Sequence, residues 1–289
     1  MKKIVIISGK GGTGKTTMAA NFIKIAHGHV AIDCDVDAAN LYILLDPSIK
    51  KKETFISGAK AKVTGDCINC GKCEELCRFE AITDSVTDIK IDKLKCESCG
   101  ICVYVCPTKA IEHKDEKQGE YYISDTKHCS FVHARLDPGA ENSGLLVTKI
   151  RNVSEDIAYR QDKKLIIIDG APGIGCSAIA SLNGVDYALI VTEPTVSAIS
   201  DFKKIYEVAG FFNIESLVCI NKFDINLDNT AEIEKFCASN NLEVLGKIPY
   251  DENVPRYLAD KKFIIDNACS PAATEIKNIW QKLEKYLYE

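Results

Sequence analysis

The chain has 289 residues, 46% of them hydrophobic, enough for one large α/β core and a smaller unit. A formal net charge of -5 argues against a general nucleic-acid binder, because neutralising phosphates needs a basic face. Fourteen cysteines, eight of them in two tight runs, point to metal ligation in a reducing compartment rather than to disulfides.

Met1-Lys2-Lys3 runs straight into Ile4–Ile7, too short for a secretory leader, and no apolar run reaches the ~20 residues that span a bilayer. A cytoplasmic protein is expected. Lys3–Ser8 reads as a strand, Gly9–Gly14 as a glycine-rich loop, Lys15 to about His27 as a helix and His29–Asp33 as a second strand. Gly9 to Thr16 satisfies G-x4-G-K-[ST] in the strand–loop–helix setting that gives the motif meaning. Backbone N–H groups of Gly11, Gly12, Thr13 and Gly14 would converge on phosphates, helped by the positive end of the helix dipole. Lys15 would reach the β- and γ-phosphates and the Thr16 hydroxyl would bind Mg2+, with Thr17 also at the nucleotide.

From about Gly58 to Gln118 the alternation of strands and helices stops. Cys67, Cys70, Cys73 and Cys77 recur 29 residues on as Cys96, Cys99, Cys102 and Cys106, and Ala81-Ile82 recurs as Ala110-Ile111. C-x2-C-x2-C-x3-C wraps three thiolates around one cubane and sends the fourth to the other. One [4Fe-4S] cluster is therefore assigned Cys67, Cys70, Cys73 and Cys106, the other Cys96, Cys99, Cys102 and Cys77. Zinc, the competing metal, explains a repeated three-plus-one pattern poorly. The segment resembles bacterial two-cluster ferredoxins, except that Arg78 stands where proline is usual. A guanidinium beside Cys77 is expected to raise the neighbouring cluster's potential.

Phe131–Thr148 suggests loop-to-helix structure and no chemistry. Apolar strands follow at Leu165–Asp169, Tyr187–Thr192, Leu217–Asn221 and Val244–Ile248, separated by helical stretches such as Ala198–Ala209 and Thr230–Ser239. Short continuous apolar runs of this kind make a parallel sheet buried on both faces. Asp169-Gly170-Ala171-Pro172-Gly173 closes one strand, and Asn221-Lys222-Phe223-Asp224 closes another. Asn-Lys-x-Asp also fits a guanine reader, which leaves the base open. Ile276, Trp280, Leu283 and Leu287 share one face of a C-terminal helix over Ala273–Tyr288, expected to dock on the core rather than on a membrane.

Lys10, early in the loop, makes it resemble the MinD/ParA/nitrogenase-iron-protein family of deviant Walker A ATPases, and the likeness extends over most of the chain outside the cysteine-rich segment. The resemblance implies that Lys10 crosses a homodimer interface to the partner's ATP. It also implies that Asp35 positions the attacking water, that Asp33 holds the magnesium shell, and that Asp169 binds Mg2+ through water. Asn40 falls at the family's switch I asparagine, Asn221 at the residue facing adenine, with Asp224 beside it. Cys176 sits at the spacing of a cluster ligand in the nitrogenase iron protein, with Cys129 a guess for its companion.

The expected fold is an α/β P-loop domain, a mostly parallel sheet flanked by helices, in two parts over 1–57 and 119–289. An α+β ferredoxin-like domain is inserted over 58–118. The expected function is slow ATP hydrolysis in a dimer, coupled to two [4Fe-4S] clusters that serve a redox or iron–sulfur protein partner. The alternatives are a cluster carrier like Mrp/ApbC and a positioning ATPase like MinD.

Overall fold

The computed structural model describes residues 1–85 and 88–288. In the first half lie β1 (Lys2–Ile7), α1 (Lys15–Ile25), β2 (His29–Asp33), α2 (Leu41–Leu45), β3 (Ser48–Val63), α3 (Lys72–Glu75) and β4 (Ile82–Ser85). They are followed by β5 (Asp88–Ile91), α4 (Ile101–Val105), β6 (Ile111–Asp125) and β7 (Ser130–Leu136). The second half runs α5 (Ser143–Arg160), β8 (Leu165–Asp169), α6 (Cys176–Leu182), β9 (Tyr187–Thr192), α7 (Val196–Phe211) and β10 (Glu215–Asn221). It ends with α8 (Leu227–Ser239), β11 (Glu243–Ile248), α9 (Asn253–Ala259) and α10 (Pro271–Tyr288).

The sheet order is β11-β10-β9-β1-β8-β2-β7-β6-β3. Every pairing from β11 through β7 is parallel. β2 and β8 are buried along their whole length, as strands covered on both faces must be. The first crossover, β1–α1–β2, skips the place taken by β8, and β9 pairs on the other side of β1. Around such a switch point the carboxyl ends of the strands open a crevice. Asp33 and Asp169 stand at the ends of β2 and β8 as register partners.

The chain divides into two compact units. The larger holds Met1–Glu53, Tyr121–Arg135 and Ser143–Glu289; the smaller holds Thr54–Glu120 and Leu136–Asn142. Nothing in the composition of Leu136–Asn142 signals membership of the smaller unit. β3 and β6, of 16 and 15 residues, also escape a sequence reading, because few of their side chains are buried and they carry no apolar alternation.

The repeat in the smaller unit is a repeat of backbone. Gly71 and Gly100 take φ of 71° and 81° and start α3 and α4, a left-handed conformation that glycine adopts without strain. Asn69 and Ser98, and then Glu80 and Lys109, are also left-handed. Each pair is separated by the period of the cysteines, so the two loops are built alike.

In the larger unit α10 covers one flank. Ile276, Trp280, Leu283 and Leu287 are all buried, and Trp280 lies with its ring 5.2 Å from that of Phe22 on α1. Trp280→Ala is expected to lower stability by about 3–5 kcal/mol, read as a drop in urea midpoint. Tyr159→Ala, at a side chain 87% exposed, should move it by less than about 0.5 kcal/mol.

Candidate functional site

β1 delivers the glycine-rich loop to the crevice and α1 leaves it. Gly14 sits at φ 95°, and a Cβ there would lie 2.4 Å from the Asn221 amide nitrogen. That amide donates to the Thr13 carbonyl at 2.7 Å, so the end of β10 clamps the loop. Lys15 is buried, with its ammonium 2.7 Å from Asp169 Oδ1 and 3.2 Å from Thr16 Oγ1. Asp35 is half-buried and accepts the Ala38 N–H at 3.2 Å.

Asp33, expected to hold the magnesium shell, is engaged by backbone donors. Its Oδ1 accepts the Asp35 N–H at 3.0 Å, and its Oδ2 accepts those of Asn40 and Leu41 at 3.3 and 3.2 Å. Both oxygens are engaged by backbone, so the carboxylate folds the loop before α2 around itself. Burial, reinforced by the charge of Asp169, pushes Asp33 up to about 7. Burial also raises Asp169, against the pull of Lys15 and Thr16. Burial alone would lower Lys15, but Asp169 outweighs it and holds the ammonium charged.

One buried cation thus faces Asp33, Asp35 and Asp169, and Asp169 Oδ2 is buried without a hydrogen-bond partner. Oxygen donors, surplus negative charge and an orphaned carboxylate oxygen suit a hard divalent cation. Thr16 and Asp169 are the residues placed to receive Mg2+.

Lys10 is held within its own chain. Its ammonium lies 2.8 Å from Glu193 Oε1, 3.1 Å from Thr195 Oγ1 and 3.2 Å from Ser197 Oγ. Glu193 also pairs with Lys222 at 2.9 Å, and burial of its carboxyl is overcome by the two lysines, which hold it below its ordinary range. Sequence reasoning missed Glu193, although an acid just past the end of a core strand was the available signal.

A largely apolar pocket of about 240 Å³ adjoins the loop, lined by Gly12, Gly14, Thr17, Asn221, Pro249 and Tyr250 among others. Asp224 does not line it. Its Oδ1 accepts the Tyr250 N–H at 2.7 Å and so anchors the segment after β11. The guanine-reading role open to Asn-Lys-x-Asp is therefore not the one its aspartate occupies here. Pro249 and Tyr250, also unforeseen, follow a strand end on the same rim.

In the smaller unit the eight cysteines fall into two pockets. Cys67, Cys70, Cys73 and Cys106 line one; Cys77, Cys96, Cys99 and Cys102 line the other. The Ala81 N–H donates to Cys77 Sγ at 3.4 Å and the Ala110 N–H to Cys106 Sγ at 3.2 Å, one period apart. Burial raises the Cys73 and Cys102 thiols. Burial would raise Cys106 as well, but donors from Thr108, Ala110 and Ile111 hold it below its usual value. Among the described residues no group of three or more His, Cys, Asp or Glu side chains is already closed around a metal-sized point. Thiols draw together as they lose protons to a metal. The soft donor set and the three-plus-one grouping fit [4Fe-4S] clusters.

Cys176 is exposed at the start of α6, whereas burial pushes Cys129 up to about 12, as for a core-packed thiol. Cys34 is fully buried. Among the described residues no helix is long and apolar enough to cross a membrane.

A glycine loop held by an asparagine clamp, a buried lysine–aspartate pair and a switch-point crevice define a P-loop ATPase. The chain belongs to the CobQ/CobB/MinD/ParA nucleotide-binding family, whose profile matches residues 4–264. An uncharacterized protein of Methanocaldococcus jannaschii is 34% identical over 99% of this chain and 97% of its own length. The fold matches that of the septum site-determining protein MinD complexed with Mg-ADP from Pyrococcus horikoshii. The TM-score is 0.60 at 18% identity, covering 99% of this chain and 96% of that one. Over 76 residues the chain is also 38% identical to one component of the ion-translocating oxidoreductase complex of Methanosarcina acetivorans, or 26% of this chain and 27% of that protein.

The elevated Asp33 carboxyl has a testable cost. A carboxyl raised by folding contributes stability below its unfolded value of 3.8 and loses it as pH climbs through about 7. In magnesium-free buffer, raising the pH from about 3.5 to about 8 should therefore cost the parent roughly 2–4 kcal/mol of stability, at about 1.4 kcal/mol per pKa unit. Asp33→Asn, which has no carboxyl to titrate at this position, should show a shallower fall between those two values. Thermal unfolding at the two pH values measures both.

Proposed function

We propose that this ATPase is an ATP-dependent dimeric switch coupled to two [4Fe-4S] clusters, working in the cytoplasm and passing electrons to a redox or iron–sulfur protein partner. The observation that carries this reading is the partition of eight cysteines into two three-plus-one pockets in a chain that also holds a P-loop site. The partial likeness to a component of an oxidoreductase complex supports it.

Nucleotide phosphates would lie on the N–H groups of the Gly11–Gly14 loop and compete with Asp169 for the Lys15 ammonium. Drawing Lys15 toward phosphate would free Asp169 for Mg2+, while Asp35 orients the attacking water. The loop that Asp33 organises would report the γ-phosphate. The base would enter the apolar pocket against Asn221, Pro249 and Tyr250, which favours adenine, since no side-chain carboxylate of Asp224 faces it.

Lys10 would leave Glu193 for the partner's nucleotide. Phosphoryl transfer depends on charge placed around the γ-phosphate, and a cation supplied in trans is worth ~10³–10⁵ in rate. Lys10→Ala should abolish ATP-dependent dimerisation in analytical ultracentrifugation and lower turnover by about 10³ or more. Unchanged dimerisation and turnover would remove Lys10 from this role.

When bound, the clusters would supply a one-electron relay held by Cys67, Cys70, Cys73 and Cys106 and by Cys96, Cys99, Cys102 and Cys77. Protein purified and reconstituted without oxygen should carry about eight iron atoms per chain and show reversible low-potential reduction that changes with ATP. Colourless, iron-free protein overturns the reading. Rapid loss of iron to an apo-acceptor favours a carrier, and unaltered cellular positioning after cysteine removal favours a MinD-like role.

A further inference from the structure

Among the described residues Lys60 is the only charged side chain buried in the smaller unit, at 7% exposure. It projects from β3, and its ammonium donates to the Cys96 carbonyl at 2.6 Å. Its second partner is Glu141 Oε1 at 3.1 Å, from the short Leu136–Asn142 segment, for which the sequence suggests no role. Cys96 lines the pocket it shares with Cys77, Cys99 and Cys102. Lys60 reaches that pocket through the Cys96 carbonyl, without lining it; the other pocket, with Cys67, Cys70, Cys73 and Cys106, has no such buried ammonium on a ligand's backbone among the described residues. The two loops share a backbone course, and exposed side chains differ between them, Lys72 at one pocket and Glu97 and His113 at the other; Lys60 is the buried charge that tells them apart.

The sequence pointed to a different cation. Arg78 was expected to make the clusters inequivalent, but it is exposed, where water and salt screen its charge. Lys60 is shielded from both. A buried ammonium is costly, and Glu141, half-exposed, offsets it only in part. The uncompensated charge therefore acts on what lies beside Cys96.

We propose that Lys60 sets the reduction potential of the cluster bound by Cys96, Cys99, Cys102 and Cys77, making it the easier of the two to reduce, with Glu141 moderating the effect. The inference rests on the two-cluster reading above. Reduction adds one electron from a low-potential one-electron donor to a cluster, with no bond made or broken. The added negative charge is stabilised by a nearby cation in a medium of low dielectric constant. Lys60 thus acts through charge and through the carbonyl it fixes, without binding iron itself.

The test is an EPR-monitored dithionite titration of the anaerobically reconstituted full chain, with iron counted on every sample. The parent should show two separate midpoints. Lys60→Met should lower the upper one by about tenfold in the equilibrium constant, ~59 mV for a one-electron couple, and leave the lower one in place. Lys60→Arg should restore most of the separation. Glu141→Gln, at a half-exposed site that tolerates change, should move the same midpoint upward and by less. Arg78→Ala should move neither. A parent without iron overturns the two-cluster reading and this inference together. Full iron with both midpoints unmoved in Lys60→Met and Glu141→Gln overturns this inference alone, as does an equal shift of both. Should Lys60→Met fail to fold, the Glu141→Gln shift decides.

Discussion

The contact on which the larger unit's site depends is the buried ion pair between Lys15 and Asp169. Two carboxylates at neighbouring strand ends, Asp33 and Asp169, are placed side by side by the parallel register of β2 and β8. Neither would remain ionised there without a cation, because burial alone favours their neutral forms. A single lysine balances part of that charge. The rest of the neighbourhood answers to the deficit: Asp33 gathers backbone N–H groups from the loop before α2, and Asp169 keeps one oxygen unpaired. Such a site is under-neutralised by construction, and a divalent cation is the partner that would restore the balance.

The smaller unit is organised differently. Its buried cluster includes three cysteines, Cys73, Cys96 and Cys102, with only a few aliphatic side chains such as Ile82, Ile89 and Ile111. So small an apolar core contributes little, and units of this size lean on metal or cross-links for stability. The doubled loop geometry supplies the frame: left-handed residues, a glycine at each short helix and an N–H aimed at a sulfur, each occurring twice. Within that near-symmetry Lys60 is the exception.

What the sequence disclosed tracks how local each cause is. The glycine loop, the strand-end aspartates and the cysteine periods are local patterns, and all were legible in the chain. The sheet order around β1 follows from the run of buried strands once the connections are known. Three things were hidden because they depend on distant partners. Asp224, expected at the nucleotide, lends one carboxylate oxygen to the Tyr250 backbone, a partner the sequence does not announce. Glu193 acquires meaning only when β9 and the loop bring it to Lys10 and Lys222. Lys60 looks like any other lysine in a lysine-rich strand until Glu141, far along the chain, closes over it. β3 and β6 were missed for the opposite reason, their exposed faces leaving no hydrophobic rhythm to read.

The two ends of the sheet differ from its centre in one respect with a bearing on how copies can meet. At one end β3 carries Lys50, Lys51 and Lys52 in its exposed stretch. At the other, the carbonyl of Leu245 in the short strand β11 is capped by the Lys282 ammonium at 2.6 Å. Lysines along a margin repel a second margin of the same kind, and a capped carbonyl offers no ladder to extend. Fibril-like stacking of one sheet onto the next is thereby discouraged.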